Sequence, residues 1–206
     1  RCLEEGSNFN LIKTLIIGGG KASSELIDEL QNINTECYAT YGMTETLTHI
    51  ALQKLNGHNK QDSFKVFPDI RIRTDKRNCI CIRAPYLEDE VITNDIVTLT
   101  NKDQFRFIGR YDNVINSGGV KIYPEEIEDK IYDLIQHPFF ISSASDEIFD
   151  KKVILIIESP EYEQNKKDKL IKELKLRLDS KMVPKEIKFI KEISRTESGK
   201  ILRANN

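Results

Sequence analysis

Four short stretches of this chain carry residue types that could do chemistry. Gly18-Gly19-Gly20 closes an apolar run. Three residues without Cβ atoms let a backbone come close to a flat ligand, although a tight turn would use the same glycines. Tyr41-Gly42-Met43-Thr44-Glu45-Thr46 combines an aromatic face for a base, hydroxyls for phosphate oxygens and a carboxylate able to hold Mg2+. A helix N-terminus, with Thr44 as cap and Glu45 in the first turn, would explain it equally well. Thr93-Asn94-Asp95, followed by Gly109-Arg110-Tyr111-Asp112, offers a carboxylate that can accept both hydroxyls of a ribose and a guanidinium that can brace the sugar or a phosphate. A surface ion pair is the plainer use of those residues. Ser198-Gly199-Lys200 sits in a polar tail, where a lysine on a glycine-hinged loop can reach an anion and withdraw again. Most such lysines are simply solvated.

The elements needed to position these groups fall into three textures. Leu11–Ile17 is an apolar, β-branched run that predicts a buried parallel strand ending at the three glycines. Ser23 or Ser24 can cap the next helix, whose stripe is Leu26, Ile27, Leu30 and Ile33. Cys37–Tyr41 then reads as a second buried strand, so Tyr41 and Gly42 stand at its carboxyl end, where α/β sheets bind ligands. From residue 57 to 109 short alternating runs separated by turns such as Asp75-Lys76-Arg77-Asn78 predict a small antiparallel β-barrel. A boundary is expected after residue 109. Beyond it, Gly118-Gly119 divides Val114-Ile115 from Val120-Ile122 as a hairpin turn, and Pro124 opens a helix with the stripe Ile127, Ile131, Leu134, Ile135. Val153–Ile157 reads as a buried strand, and 166–178 as an amphipathic helix with Leu170, Ile171, Leu174 and Leu178 inward. Ile187–Ile190 is expected to be a last strand, leaving Arg195–Arg203 as the polar tail. The fold class is therefore α/β for 1–56, with a β subdomain over 57–109, followed by a small α+β domain over 110–206.

Composition narrows the function. The 31 basic and 33 acidic residues are interspersed and leave a net charge of −2, without the basic excess of a nucleic-acid binder. The longest apolar runs are about a quarter of what a membrane helix needs, so no membrane insertion is expected. Of the four cysteines, only Cys79 and Cys81 are neighbours, and the three histidines (His49, His58, His137) are scattered, which argues for reduced thiols in a cytoplasmic protein rather than a zinc site. The glycines are contiguous and match no GxGxxG, which weighs against a dinucleotide-binding domain. The chain opens on Arg1 with neither an initiator Met nor a secretory h-region, and is expected to be a piece of a longer protein.

Taken together and in order, the motifs at 41–46, 93–95 and 109–128, with the tail Arg195-Thr196-Glu197-Ser198-Gly199-Lys200-Ile201-Leu202-Arg203, resemble the acyl-adenylate-forming superfamily of acyl-CoA ligases, luciferases and peptide-synthetase adenylation domains. Within it, Tyr41–Gly57 is most like the branch of 2-succinylbenzoate–CoA ligases of menaquinone synthesis. The resemblance implies the end of a large ATP- and acyl-binding domain followed by a mobile lid. It implies an AMP-forming acid–thiol ligase using ATP, Mg2+, coenzyme A and a small carboxylic acid, with oligomers possible. Carried over, Tyr41 stacks on adenine beside Gly42, and Gly18, Gly19 and Gly20 line the adenine and acyl pockets. Thr44 binds the α-phosphate, Glu45 holds the metal, and Asp95 takes the ribose hydroxyls with Arg110 in support. Asp112 is the hinge. Lys200 bridges the attacking carboxylate and the α-phosphate, and the Gly118-Gly119 hairpin replaces it to line the coenzyme A tunnel. The superfamily's hydroxyl- and glycine-rich phosphate loop has no counterpart here, since Gly18-Gly19-Gly20-Lys21 lacks the hydroxyls; these residues alone are therefore expected to be inactive. An adenylation domain that loads a carrier protein and a non-catalytic interaction module derived from the same fold remain open alternatives.

Overall fold

A computed structural model describes residues 11–203 apart from 21, 23, 198 and 200. Two compact units divide between Phe107 and Ile108, two residues before the boundary expected from the sequence.

In the first unit, β1 (Thr14–Ile17) runs into the glycines, α1 (Ser24–Leu30) follows, and β2 (Glu36–Gly42) pairs with β1 in parallel, Thr14 opposite Glu36 and Ile17 opposite Ala39. The other strands are β3 (His49–Lys54), β4 (Phe64–Val66), β5 (Arg71–Thr74), β6 (Cys79–Arg83), β7 (Val91–Asn101) and β8 (Gln104–Arg110), whose last three residues belong to the second unit. All eight form one sheet in the order β1-β2-β3-β4-β8-β7-β6-β5. The antiparallel strands are thus continuous with the α/β pair rather than a barrel beside it, because β3 uses its second edge to pair with β4. A second expectation also changes. Among the described residues β1 has a neighbour on one side only, so it is an edge strand rather than a buried one, and Ile16 is 52% exposed. The predicted helix is shorter as well, ending at Leu30, so Ile33 packs from the turn after it.

Phe105 and Ile50, Ile80 and Ile82 are fully buried on the antiparallel strands, each contributing roughly 1.5–3 kcal/mol by leaving water. Leu30, Cys37, Ala39 and Leu55 make a smaller cluster beneath α1. Buried Asn56 ties that cluster together. It accepts from the Cys37 N–H (2.9 Å) and donates to the carbonyls of Leu30 (3.0 Å) and Thr35 (2.8 Å).

The second unit holds a hairpin, β9 (Ile115–Ser117) with β10 (Val120–Ile122), and then α2 (Pro124–Ile131). Its three-stranded sheet places β12 (Asp150–Glu158) between antiparallel β11 (Phe139–Asp146) and parallel β13 (Glu186–Ile190), with α3 (Gln164–Arg177) as the crossover. Val153–Ile157 is apolar throughout because both of its faces are covered. Val153, Leu155 and Ile157 meet Ile127, Ile131, Leu170 and Leu174, while Ile154 and Ile156 meet Phe140 and Ile193. Pro124 takes the first helical position of α2, as expected, with Glu125 and Glu126 in the first turn. On α3 the buried line is Leu170 and Leu174, prolonged by Leu178, four residues apart each time. Ile171, expected inward, is 36% exposed on the flank of that line. No helix among the described residues is long and apolar enough to cross a membrane.

Candidate functional site

The parallel pairing of β1 and β2 brings two motifs to the same end of the sheet. Gly18 stands where β1 stops, and a Cβ there would lie 2.8 Å from the Thr40 hydroxyl, which would have to shift to admit it. Gly42 is tighter still. A Cβ would fall 2.6 Å from the His49 Cα and 2.7 Å from the Thr48 carbonyl oxygen, because β2 and β3 shift register at this point. The obstacles at Gly42 are backbone atoms, whereas the one at Gly18 belongs to a side chain.

Between these glycines, Tyr41 is buried. Its ring meets Phe105 edge-on at 5.0 Å and Phe64 at 5.9 Å, and its hydroxyl donates to the Asp95 carboxylate at 2.6 Å. Two motifs 54 residues apart are thereby joined through one hydrogen bond. Asp95 is only 6% exposed, so the surface ion pair set against it in the sequence reading does not describe it. The Thr93 hydroxyl accepts from the Asp95 N–H (3.0 Å) and donates to the Ile80 carbonyl (2.8 Å), holding the carboxylate's backbone to β6.

Arg77 completes this arrangement, and the sequence reading took it for a turn residue. Its guanidinium donates to the Asn94 side chain (2.8 Å), the Thr93 carbonyl (3.0 Å) and Asp75 (2.8 Å). Burial acts to raise the Asp75 carboxyl, but the N–H groups of Cys79 and Arg77 and the Arg77 charge outweigh it and hold it below the ordinary value. Asp75 and Arg77, two apart in a turn, were the available signal: an aspartate that binds its own turn and presents an arginine sideways.

Thr44, Glu45 and Thr46 form a single 3-10 turn after Gly42. Thr44 is not its cap. The Thr46 hydroxyl accepts from the Met43 N–H at 3.0 Å and donates to the Met43 and Thr48 carbonyls, which leaves Thr44 and Glu45 exposed. Cys79 and Cys81, on the strand beside β7, are fully buried, and that burial pushes both thiols up. Among the described residues no group of three acidic, histidine or cysteine side chains could hold a metal by itself, so an ion here would need ligands from a bound nucleotide as well as Glu45.

In the second unit, Arg110 and Asp112 form an exposed ion pair at 3.3 Å around the turn Tyr111–Asn113. Gly118 and Gly119 both have positive φ, 54° and 77°, and the Gly118 N–H donates to the Phe149 carbonyl at 3.0 Å. Gly19 and Gly20 have open space where a Cβ would be, and Gly19 has φ 92°. Ser198 and Lys200 lie outside the described residues; their flanks are closed by the Arg195–Ile201 bridge and by Leu202 N–H to the Ser194 carbonyl at 2.9 Å. One open concavity of about 700 Å³, lined by His137, Glu158, Lys188, Phe189 and Lys191 among others, contains none of the residues singled out in the sequence.

No protein-family model matches the chain. The 2-succinylbenzoate–CoA ligase of Lactococcus lactis is 26% identical over 211 residues, covering 94% of this chain and 46% of the relative. The mitochondrial acyl-coenzyme A synthetase ACSM5 of Rattus norvegicus is 26% identical over 237 residues, covering 95% and 40%. Among solved structures, the o-succinylbenzoate CoA synthetase of Bacillus subtilis with its acyl-adenylate intermediate OSB-AMP aligns with a TM-score of 0.79 at 22% identity, over 98% of this chain and 48% of that one. The anthranilate CoA ligase AuaEII with anthranoyl-AMP gives 0.75 at 13% identity, over 92% and 43%. The fold is that of the C-terminal part of an adenylate-forming ligase, and the resemblance to that superfamily, its 2-succinylbenzoate–CoA ligases included, runs along almost the whole chain. The chain spans about half the length of the curated relatives it matches.

Proposed function

We propose that this chain is the nucleotide-facing end and the mobile lid of an AMP-forming acid–CoA ligase, acting on 2-succinylbenzoate. The observation that carries the reading is the 2.6 Å bond between Tyr41 and Asp95, which joins the motif at the end of β2, beside Gly42, to the motif within β7. A buried carboxylate fixed through its backbone by Thr93, and through its neighbours by Arg77, is a preorganised acceptor for the two hydroxyls of a ribose. The Tyr41 ring borders the adenine, with Gly18, Gly19 and Gly20 along its edge. Thr44 donates its hydroxyl to the α-phosphate. Glu45, exposed on a single 3-10 turn, suits a magnesium ion shared with phosphate oxygens; such an ion would neutralise the charge of the departing pyrophosphate.

Adenylation joins a carboxylate oxygen to the α-phosphorus as pyrophosphate leaves. Two anions must approach, so a cation between them stabilises the transition state more than the ground state. Lys200 is assigned that place. In the second step the coenzyme A thiol attacks the acyl carbon and AMP leaves. The lysine would obstruct that attack. Residues 110–206 therefore turn about Asp112 as a lid, Arg110 braces the ribose in one state, and the Gly118-Gly119 hairpin lines the thiol's path in the other.

The test uses the full-length protein. Lys200→Ala should cut acyl-AMP formation by roughly 10²–10³-fold and spare thioester formation from supplied acyl-AMP; equal loss of both steps would overturn the assignment. Pyrophosphate exchange over a panel of carboxylic acids, with 2-succinylbenzoate first, tests the substrate. Transfer to free coenzyme A against transfer to a carrier protein tests the acceptor. Residues 1–206 alone should show neither exchange nor tight ATP binding by calorimetry.

A further inference from the structure

Glu128 and Arg203, at the ends of two of the lid's motifs, have so far been given no part in the reaction, yet they meet in a largely buried ion pair. The Arg203 guanidinium donates to both Glu128 carboxylate oxygens, at 2.6 and 2.9 Å, and to the Ile141 carbonyl at 2.7 Å. Its plane lies 5.8 Å from the centre of the Phe140 ring, and Glu125 is 3.8 Å away. Glu128 in turn accepts from the Ile141 N–H at 2.7 Å. The two side chains are only 20% and 21% exposed. Three elements are bound at one point: α2, which follows the glycine hairpin directly; β11; and the end of the polar tail.

The rest of the tail is tied just as closely. Ile201 packs on the cluster of Phe140, Ile154, Ile156 and Ile193, the Ile193 N–H donates to Glu158 at 2.9 Å, and Arg195 bridges Ile201. The described residues on either side of 198 and 200 are thus fixed, and in the sequence Lys200 precedes by one residue a strand-like bridge and by three residues a bidentate ion pair. A surface lysine on a free tail would need no such clamp. Burial pushes the Glu128 carboxyl up while Arg203 pulls the other way, so the site invests desolvation in a fixed geometry.

From these contacts we infer that Arg203, through Glu128, is a positioning residue for adenylation: it fixes the chain that leads out of Lys200 to the same helix that follows the Gly118-Gly119 hairpin, so that both faces of the lid turn as one body. The inference rests on the role proposed for Lys200. A bidentate guanidinium is required, because a lysine at 203 could make only one of the two parallel bonds.

The experiment measures both half-reactions in the full-length protein. Arg203→Met should lower the kcat of acyl-AMP formation by about 10²-fold, the scale of a displacement of about 1 Å of a reacting group, leaving the KM for ATP and for the acid within about threefold. Thioester formation from supplied acyl-AMP should stay within the same factor. Arg203→Lys should resemble Arg203→Met. Since Arg203→Met leaves a buried carboxylate unpaired, Arg203→Met/Glu128→Leu is made beside it and should regain the melting temperature without regaining adenylation. Recovery of adenylation in that double variant, or parallel loss of both half-reactions in either, would show a structural pair only and overturn the inference. Lys200→Ala is the separate control: if it leaves adenylation intact, the proposed function itself fails, whatever Arg203 does.

Discussion

The two units hold their motif residues in opposite ways. In the first, Tyr41 and Asp95 are buried, mutually bonded and braced by Thr93 and Phe105 on long strands. In the second, Arg110, Asp112, Gly118 and Gly119 are exposed at a 3-10 turn and at the tip of a hairpin with three-residue strands, and Arg110 pairs with a neighbour two positions away. The difference matches the tasks proposed for them. A site that must not reorganise when charge develops gains from a filled, bonded environment, whereas a segment that must change partners cannot be committed to one set of buried contacts.

Substitutions can break or sharpen this contrast. The largest effect is expected at Phe105, fully buried between Tyr41 and Phe64: Phe105→Ala should cost about 3–5 kcal/mol by denaturant titration, and would also let the Tyr41 ring move. Gly42→Ala comes next. Its Cβ would strike backbone at 2.6 Å, so a loss of about 1–3 kcal/mol should accompany a shift in the Thr44-Glu45 turn, visible in the full-length protein as weaker ATP binding. Tyr41→Phe removes one hydrogen bond to a buried carboxylate and should cost about 1–3 kcal/mol. Gly119→Ala meets no atom within 4 Å but keeps φ at 77°, so only the left-handed backbone opposes it, by about 1 kcal/mol. Arg110→Ala should change stability by no more than about 1 kcal/mol, because its ion pair is exposed. If Arg110→Ala proved as costly as Tyr41→Phe, the contrast between the units would be lost.

A pH titration probes the same brace more finely. The Asp75 carboxyl is depressed in the folded chain, so its stabilising contribution is present above its unfolded value and is lost as the pH falls through the folded one. Asp75→Asn should therefore be less stable than the parent chain near neutrality, and the gap should narrow as the solution becomes acidic. A gap that stays constant with pH would mean that the Asp75 charge has no share in holding Arg77.

Periodicity and punctuation made much of the second unit legible. Pro124 marked the start of α2, Gly118-Gly119 marked the hairpin, and the unbroken Val153–Ile157 run marked a strand covered on both faces. These are local signals, set by backbone geometry within a few residues. Ile171 was misplaced because a stripe of several leucines and isoleucines on a short helix leaves its azimuth open until a neighbour chooses which ones to cover. In the first unit the turn at 75–78 was visible, but its use was not, since Arg77 acts on residues 16 and 17 positions away.

Residue types and their order were thus enough to state which resemblance the chain carries. They could not show that Tyr41 would hand its hydroxyl to Asp95, that β1 would lie at a sheet edge, or that Arg203 would close on Glu128 from 75 residues away. Local conformation follows from short-range sterics and hydrogen bonding that a sequence states directly. Long-range pairing follows from which buried polar groups find partners once the sheets have closed, and many pairings satisfy one sequence until the packed fold selects among them.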